Sequence, residues 1–172
     1  KKKHKIFLKT VAGTEGIDTM NLEGGIDRKE GGTEAAVLFG KYQLERVIGR
    51  GRSGTVFLAR HLGLDEERAI KRVRRTESGF IQEAALLKRL HPGIPIIYDL
   101  EIDENYYYLI EEYLCGESLY ARIERTGSLQ TGELIRLGIE LCRIMNYLHS
   151  FKPNPILYLD LHPGNLLICR EQ

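Results

Sequence analysis

The spacing of the apolar residues changes along this 172-residue chain, and that change constrains the fold more than any single motif. Two segments, Ser78–Leu90 and Thr131–His149, place apolar residues at the spacing of an amphipathic helix. Shorter segments favour β-strands, at about Tyr42–Ile48, Thr55–Arg60, Arg68–Arg74, Ile96–Ile102 and Tyr106–Glu112. Their order predicts an α+β fold: a small antiparallel sheet with one helix, followed by a mostly helical region.

The composition excludes several classes of protein. Hydrophobic residues make up 42% and charged residues 28% of the chain, which argues against a disordered or collagen-like protein. A net charge of +1 is low for a protein held to nucleic acid mainly by charge, so we expect no nucleic-acid partner. No apolar run approaches the roughly 20 residues of a membrane helix, so we expect no membrane segment here. The scattered cysteines favour reduced thiols and a cytoplasmic location.

The N-terminal part of the chain differs from the rest. Residues 1–40 show no lasting helical or strand period and contain seven glycines. We therefore predict a flexible N-terminal extension over residues 1–40, with a short strand at Lys5–Val11. The regular pattern of strands begins at Lys41.

A glycine-rich turn joins the first two predicted strands. Its sequence, Gly49-Arg50-Gly51-Arg52-Ser53-Gly54-Thr55-Val56, fits the pattern G-x-G-x-x-G-x-V. The pattern also occurs in dinucleotide-binding folds, where a helix follows the last glycine, whereas residues 55–59 favour a strand. A hairpin of this kind can lie over phosphate groups, because glycines permit a close approach of the backbone. The alternative is a simple glycine hairpin.

Two residues of opposite charge lie among apolar neighbours in the segments that follow. Lys71 is on the third predicted strand, where burial of its ammonium group is costly unless it is paired or holds an anion. Glu83 is on the next helix among apolar residues, and Lys71 is the natural cation for its carboxylate. The alternatives are an edge-strand lysine that points to water and an ordinary glutamate on the helix surface.

The segment Asp160-Leu161-His162-Pro163-Gly164-Asn165 is the strongest chemical signal in the chain. It is a polar loop with apolar flanks. A carboxylate there can orient an attacking hydroxyl and accept its proton, and the amide oxygen of Asn165 can bind magnesium. His162 fits a loop residue near phosphate better than a zinc ligand, since the other histidines offer no ligand spacing. The alternative is a turn with an Asx cap.

Together these motifs resemble the eukaryotic-type protein kinase family, in the form found in bacterial Ser/Thr kinases. Order, spacing and predicted secondary structure agree over about residues 41–169. The resemblance implies a bilobal fold, with a small lobe over residues 41–114 and with the hinge and the start of the large lobe over residues 115–172. It also implies an enzyme that uses ATP and Mg²⁺ and phosphorylates Ser or Thr hydroxyls of protein substrates.

The resemblance implies a role for each motif residue. Lys71 would hold the α- and β-phosphates and pair with Glu83, and Glu112–Leu114 would form the hinge that reads the adenine. Asp160 would be the catalytic base and Asn165 a magnesium ligand. The remaining nucleotide-binding residues would be Gly49, Gly51 and Gly54 over the phosphates, and Ile48, Val56, Ala69 and Leu167 around the adenine.

Several positions depart from the family pattern. The usual His-Arg before the base is Tyr158-Leu159, so the arginine that receives an activation-loop phosphate is absent. The lysine two residues after the base is His162, which we expect to act as a catalytic residue whose contact with the γ-phosphate is weaker or depends on pH. The residue before the hinge glutamate is Glu111, an acid where an apolar residue is common.

The sequence ends seven residues after Asn165, before the family's Asp-Phe-Gly segment, activation loop and Ala-Pro-Glu region. We therefore expect the 172 residues alone to be inactive and the intact protein to be active. We also expect apolar residues of the second helix, such as Leu137 and Leu141, to lack their usual cover.

Two other functions fit the same residues. A small-molecule phosphotransferase of the aminoglycoside/choline type carries a loop similar to Asp160–Asn165. Those enzymes usually have His-Gly before the aspartate and seldom a clear glycine turn, so Tyr158-Leu159 and Gly49–Val56 favour the protein kinase. A pseudokinase that binds nucleotide, or only a partner protein, is also compatible with the departures at positions 158, 159 and 162.

Overall fold

The structure is a computed structural model that describes residues 4–9, 36–51, 54–76, 80–81 and 93–170. Most of the helix predicted over Ser78–Leu90, with Glu83, lies outside these residues. Phe80 and Ile81 are helical, and Phe80 is buried. The other elements are, in chain order, β1 (His4–Leu8), β2 (Val37–Leu38), β3 (Tyr42–Gly51), β4 (Gly54–His61), β5 (Glu66–Arg74), β6 (Ile97–Ile102), β7 (Tyr106–Glu112), β8 (Gly116–Ser118), α1 (Leu119–Thr126), α2 (Thr131–His149), a 3-10 turn (Pro163–Asn165) and β9 (Leu166–Arg170).

A six-stranded antiparallel sheet forms the first part of the structure, in the order β2-β3-β4-β5-β7-β6. All the strands predicted between residues 42 and 112 are present in it. β2 adds a short edge strand to β3, so the sheet includes residues that precede the predicted boundary at residue 41. The predicted α+β class, with an antiparallel β lobe ahead of a helical region, is confirmed.

The two faces of this sheet carry separate apolar cores, because successive side chains of a strand point to opposite sides. The core on one face consists of Tyr42, Leu44, Phe57, Ala59, Ile70, Tyr108 and Ile110. The core on the other face consists of Val73, Phe80, Ile97 and Leu109. Lys71 and Glu111 alternate in step with Val73 and Leu109, so they lie on this second face, where Phe80 packs.

The second part of the structure contains α1, α2 and a three-stranded sheet in the order β1-β9-β8. α2 spans the residues predicted for it. α1 and β8 were not predicted from the sequence, although the ends of α1 carry recognisable signals. The Ser118 hydroxyl oxygen accepts a hydrogen bond from the Ala121 N–H (3.0 Å), and Gly127 ends the helix with a positive φ of 74°. A serine before a helix and a glycine after it are typical caps.

The N-terminal strand β1 is part of the core of this second region. It pairs antiparallel with β9 along its whole length, and its Ile6 and Leu8 are buried against α2. The flexible extension predicted over residues 1–40 therefore does not hold for residues 4–8, and the short strand expected at Lys5–Val11 is found at His4–Leu8. Residues 10–35 lie outside the described residues.

The position of β1 also corrects the expectation that α2 lacks cover. Leu137 is only 3% exposed, in one cluster with Ile6 and Leu8, and Leu141 packs against the same cluster. The exposed apolar residues of α2 are instead Leu134, Ile135 and Ile139. The strand that was predicted to be part of a flexible segment supplies the apolar surface that α2 needs.

Ile6→Ala is expected to lower the free energy of unfolding by about 2–5 kcal/mol, because the lost methyl groups leave a cavity between β1 and α2. Urea denaturation monitored by circular dichroism measures the change. Phe7→Ala is the matched control, since Phe7 is on the other face of β1 and only half-buried, and its loss should be smaller. Equal stability of Ile6→Ala and the wild-type protein would show that β1 does not pack on α2 in solution.

Candidate active site

One row of cross-strand neighbours links the glycine-rich turn to Lys71. Gly49 on β3 pairs with Val56 on β4, and Val56 pairs with Lys71 on β5. Lys71 in turn pairs with Leu109 on β7. Directly opposed residues of antiparallel strands have Cβ atoms about 5 Å apart. The register of the sheet therefore brings the glycine-rich turn and the Lys71 side chain to one place.

The backbone conformation of this turn requires a glycine at position 54. Gly54 pairs with Gly51 where the hairpin closes, and its φ of +136° is a conformation that L-residues rarely adopt. A Cβ atom at this position would lie 2.1 Å from the carbonyl oxygen of Arg72 on β5. Any side chain would therefore push β4 away from β5 beside Lys71.

Gly54→Ala is expected to destabilise the protein by about 1–3 kcal/mol, through backbone strain and the clash with Arg72. The control is Gly138→Ala, because a Cβ at Gly138 meets no atom within 4 Å. Gly138 lies inside α2, where alanine should raise stability by up to about 1 kcal/mol. Thermal denaturation of both variants gives the comparison, and a stable Gly54→Ala protein would show that the hairpin closes differently.

The apolar residues predicted to surround an adenine come from both sheets. Val56 and Ala69 lie on the same face as Lys71, and Ala69 is buried. Ile48 is half-buried at an irregularity in the β3–β4 register. Leu167 is half-buried on β9, in the other sheet. The residues predicted to bind adenine are thus divided between the two sheets.

The predicted hinge, Glu112–Leu114, continues directly from β7. The Glu112 backbone N–H donates to the Ile96 carbonyl (2.8 Å), and the Glu112 carboxylate accepts a hydrogen bond from the Ile96 N–H (3.2 Å). These bonds fasten the end of β7 to the residue before β6. Tyr113 and Leu114 are half-buried and lead to β8, so this segment connects the two sheets.

Lys71 and Glu111 are buried charged residues on one face of the sheet, with 1% and 8% of their surface exposed. Glu111 opposes Ala69, so Glu111 and Lys71 are diagonal neighbours across β5 and β7. Burial raises the pKa of Glu111 to about 8, and the nearby Lys71 ammonium acts in the opposite direction. Glu83, the predicted partner of Lys71, lies outside the described residues.

Glu111→Gln is expected to change how folding stability depends on pH. The folded protein keeps the Glu111 proton to about pH 8, whereas an unfolded glutamate loses it near 4.5. The folded state therefore binds more protons between these pH values, and the Glu111 contribution to stability falls as pH rises through this window. Glutamine does not titrate, so the variant should lose less stability across it. Thermal denaturation at several pH values measures this, and parallel curves for variant and wild type would contradict the raised pKa.

The polar loop before β9 holds Asp160 and Asn165 against each other. Asn165 Nδ2 donates to Oδ2 of the Asp160 carboxylate (2.6 Å) and to the Asp160 carbonyl (3.1 Å). His162 Nδ1 accepts a hydrogen bond from the Gly164 N–H (3.1 Å), and its Nε2 lies 3.6 Å from Asp160 Oδ2. The loop residues predicted from the sequence are thus brought together around one carboxylate oxygen.

Asn165 Oδ1 is a buried acceptor that has no hydrogen-bond partner among the described residues. Asn165 is 0% exposed, and an unsatisfied buried oxygen is costly unless a ligand or water binds to it. An amide oxygen beside the Asp160 carboxylate suits a hard cation such as Mg²⁺, so these residues fit the predicted metal. Among the described residues no three His, Cys, Asp or Glu side chains form a metal-binding group.

The same loop is fastened to the residue that follows β1, a contact that the sequence did not predict. The Lys9 N–H donates to the Asn165 carbonyl (2.9 Å), and the Tyr158 hydroxyl donates to the Lys9 carbonyl (3.1 Å). Burial lowers the pKa of the Lys9 ammonium group. Lys9 contributes backbone atoms to both bonds, so no side-chain pattern indicated them. Tyr158, a departure from the family pattern, helps to position the loop.

Comparison with known families matches residues 42–172 to the protein kinase domain. The chain therefore belongs to the protein kinase family, as its motifs predict. The match covers the whole run from β3 through the Asp160–Asn165 loop to the end of β9.

Individual protein kinases are similar to about three quarters or more of the chain. It is 35% identical over 137 residues to serine/threonine-protein kinase PrkC of Bacillus subtilis, which covers 75% of this chain and 21% of that protein. It is 28% identical over 144 residues to serine/threonine-protein kinase B of Synechocystis sp., covering 76% and 25%. It is 31% identical over 148 residues to CBL-interacting serine/threonine-protein kinase 7 of Arabidopsis thaliana, covering 81% and 34%. The chain thus spans between a fifth and a third of the length of these relatives.

Proposed function

We propose that the protein is an ATP-dependent Ser/Thr protein kinase, and that the described residues form its nucleotide site and its catalytic loop. The observation that carries the proposal is the geometry around Asn165. The amide nitrogen of Asn165 binds the Asp160 carboxylate, and its amide oxygen is buried with no hydrogen-bond partner in the part of the chain that the structure describes. A loop that fixes a base and offers a cation ligand beside it suits phosphoryl transfer.

The small-lobe sheet supplies the nucleotide site in this proposal. The glycine-rich turn, Gly49–Gly54, lies over the phosphates. Lys71, in the row of cross-strand neighbours that begins at Gly49, neutralises the α- and β-phosphates with its ammonium group. Because Lys71 is buried, its attraction for a phosphate is less weakened by water than at the surface. The adenine is packed and read by Ile48, Val56, Ala69, Leu167 and the hinge residues Glu112–Leu114.

Asp160 is the proposed catalytic base. The hydrogen bond from Asn165 Nδ2 fixes its Oδ2, and the side chain is 45% exposed, so that a substrate hydroxyl has access to the carboxylate. In that position the carboxylate orients the Ser or Thr hydroxyl and accepts its proton as the phosphoryl group is transferred. The backbone bonds of Lys9 hold the loop in place during this step.

His162 is the proposed third catalytic residue. Its Nδ1 accepts the Gly164 N–H, so in the neutral ring the proton is on Nε2, the atom that faces Asp160. From there the Nε2–H can donate to a γ-phosphate oxygen. A bound Mg²⁺, held by Asn165 Oδ1 and the phosphates, would neutralise negative charge as it develops.

The substrate class and the cellular location are parts of the same proposal. A protein substrate is supported by the family and by the names of similar proteins, which are protein kinases. These matches do not favour a small-molecule phosphotransferase. No helix of the described residues is long and apolar enough to cross a bilayer. We propose the cytoplasm as the location, on the basis of the scattered cysteines.

Asp160→Asn is expected to lower kcat for protein phosphorylation by about 10²–10⁴-fold in the full-length protein, since the amide cannot accept the proton. Binding of Mg·ATP should change little, because the base contacts the hydroxyl and not the nucleotide. A radiolabelled ATP assay with a general protein substrate, combined with a nucleotide-binding titration, separates these effects. Asp65→Asn is the control, as Asp65 lies in an exposed turn and pairs only with Arg60 among the described ion pairs.

Full activity of Asp160→Asn would remove Asp160 from the proposed mechanism. Phosphorylation of an aminoglycoside or of choline, with no transfer to protein, would support the small-molecule kinase instead. Nucleotide binding without transfer to either substrate would support the pseudokinase.

A further inference from the structure

Glu111 has no role in the mechanism above, although it lies on the same sheet face as Lys71. Among the buried charged residues described, Lys71 and Glu111 have opposite charges and lie on the same face of the sheet. Their positions across β5 and β7 bring the carboxyl group close enough for the Lys71 charge to act on it. Lys71 also belongs to the row of cross-strand neighbours that begins at the glycine-rich turn.

The residues directly opposite Glu111 on the two neighbouring strands are apolar. Ala69 opposes it on β5, and Ile97 opposes it on β6. The core beside them contains Val73, Phe80, Ile97 and Leu109. Asp99 and Glu101 on β6 oppose Ile110 and Tyr108, so they belong to the other face. On β5, Glu67 is on the same face but is exposed, so Lys71 is the buried charged group that faces Glu111 from the two strands paired with β7. Glu83 lies outside the described residues.

We propose that Glu111 is a positioning residue that acts through Lys71: nucleotide phosphates bind well while Glu111 is protonated and less well once it is ionised. The inference rests on the proposed nucleotide site. An ionised Glu111 attracts the Lys71 ammonium toward β7 and repels a phosphate in the same low-dielectric region. A protonated Glu111 does neither, so it does not compete with the nucleotide for the Lys71 charge.

The expected direction of the pH effect follows from linkage. A bound phosphate disfavours the ionised carboxylate, so it raises the pKa of Glu111 above its value of about 8 in the free protein. The bound state then holds more protons above that pH, so nucleotide affinity falls as pH rises from about 8. The fall ends once the pH exceeds the pKa of Glu111 in the nucleotide-bound protein. If the bound nucleotide raises the pKa by half a unit to one unit, the loss of affinity is roughly three- to tenfold.

The test is a titration of the protein with a fluorescent ATP analogue and Mg²⁺, between about pH 6.5 and pH 9.5, a range that brackets the pKa of Glu111. In the wild-type protein the dissociation constant should rise above pH 8. Glu111→Gln and Glu111→Leu should remove this rise, because neither side chain ionises. Glu101→Gln is the matched control, since Glu101 is on the adjacent strand, on the other face, and pairs with Lys41. It should keep the wild-type profile.

The outcomes separate this inference from the proposed function. If the wild-type protein and the Glu111 variants bind the analogue with the same pH profile, the inference is overturned and the nucleotide site stands. If no protein binds the analogue at any pH, both the nucleotide site and the inference that rests on it fail. If one Glu111 variant does not fold, the other still decides between the first two results. Loss of the rise in Glu101→Gln as well would also overturn the inference.

Discussion

The pairing register of β3, β4, β5 and β7 is the constraint on which the nucleotide site depends. It aligns Gly49, Val56 and Lys71 in one row, and a slip of one residue in β5 would turn Lys71 to the opposite face. There the lysine would meet a core of aromatic and aliphatic side chains. Gly54 is required for this register, because only a residue without a side chain permits the Arg72 carbonyl to approach β4 so closely.

Burial of polar groups distinguishes the site from the scaffold around it. The buried polar residues described are Arg68, Lys71, Glu111 and Asn165. Arg68 is satisfied locally, by an ion pair with Glu66 and by stacking on the Tyr98 ring. The other three lie where the proposal places phosphate, a titrating carboxyl group and a cation. Removal from water is costly for each of them, and it is also what makes their electrostatic interactions strong.

Much of the fold and of the catalytic loop could be predicted, because periodicity and short-range spacing determine them. The strands between residues 42 and 112, helix α2 and the proximity of Asp160 to Asn165 all follow from neighbours in sequence. The role of β1 could not be predicted, since Ile6 and Leu8 give too short an alternation to indicate a partner more than 150 residues away. The diagonal pair of Lys71 and Glu111 was missed for a similar reason: it depends on the β5–β7 register, which no local pattern reveals.

Strand β9 has a neighbour on each side, β1 and β8, so neither of its edges is open. A further strand that is to pair with β9 must first displace one of them. Displacement of β1 would take Lys9 away from the Asn165 carbonyl and from the Tyr158 hydroxyl. Competition for the edge of β9 that β1 occupies would therefore alter the loop that carries Asp160. The occupancy of that edge and the shape of the catalytic loop depend on each other.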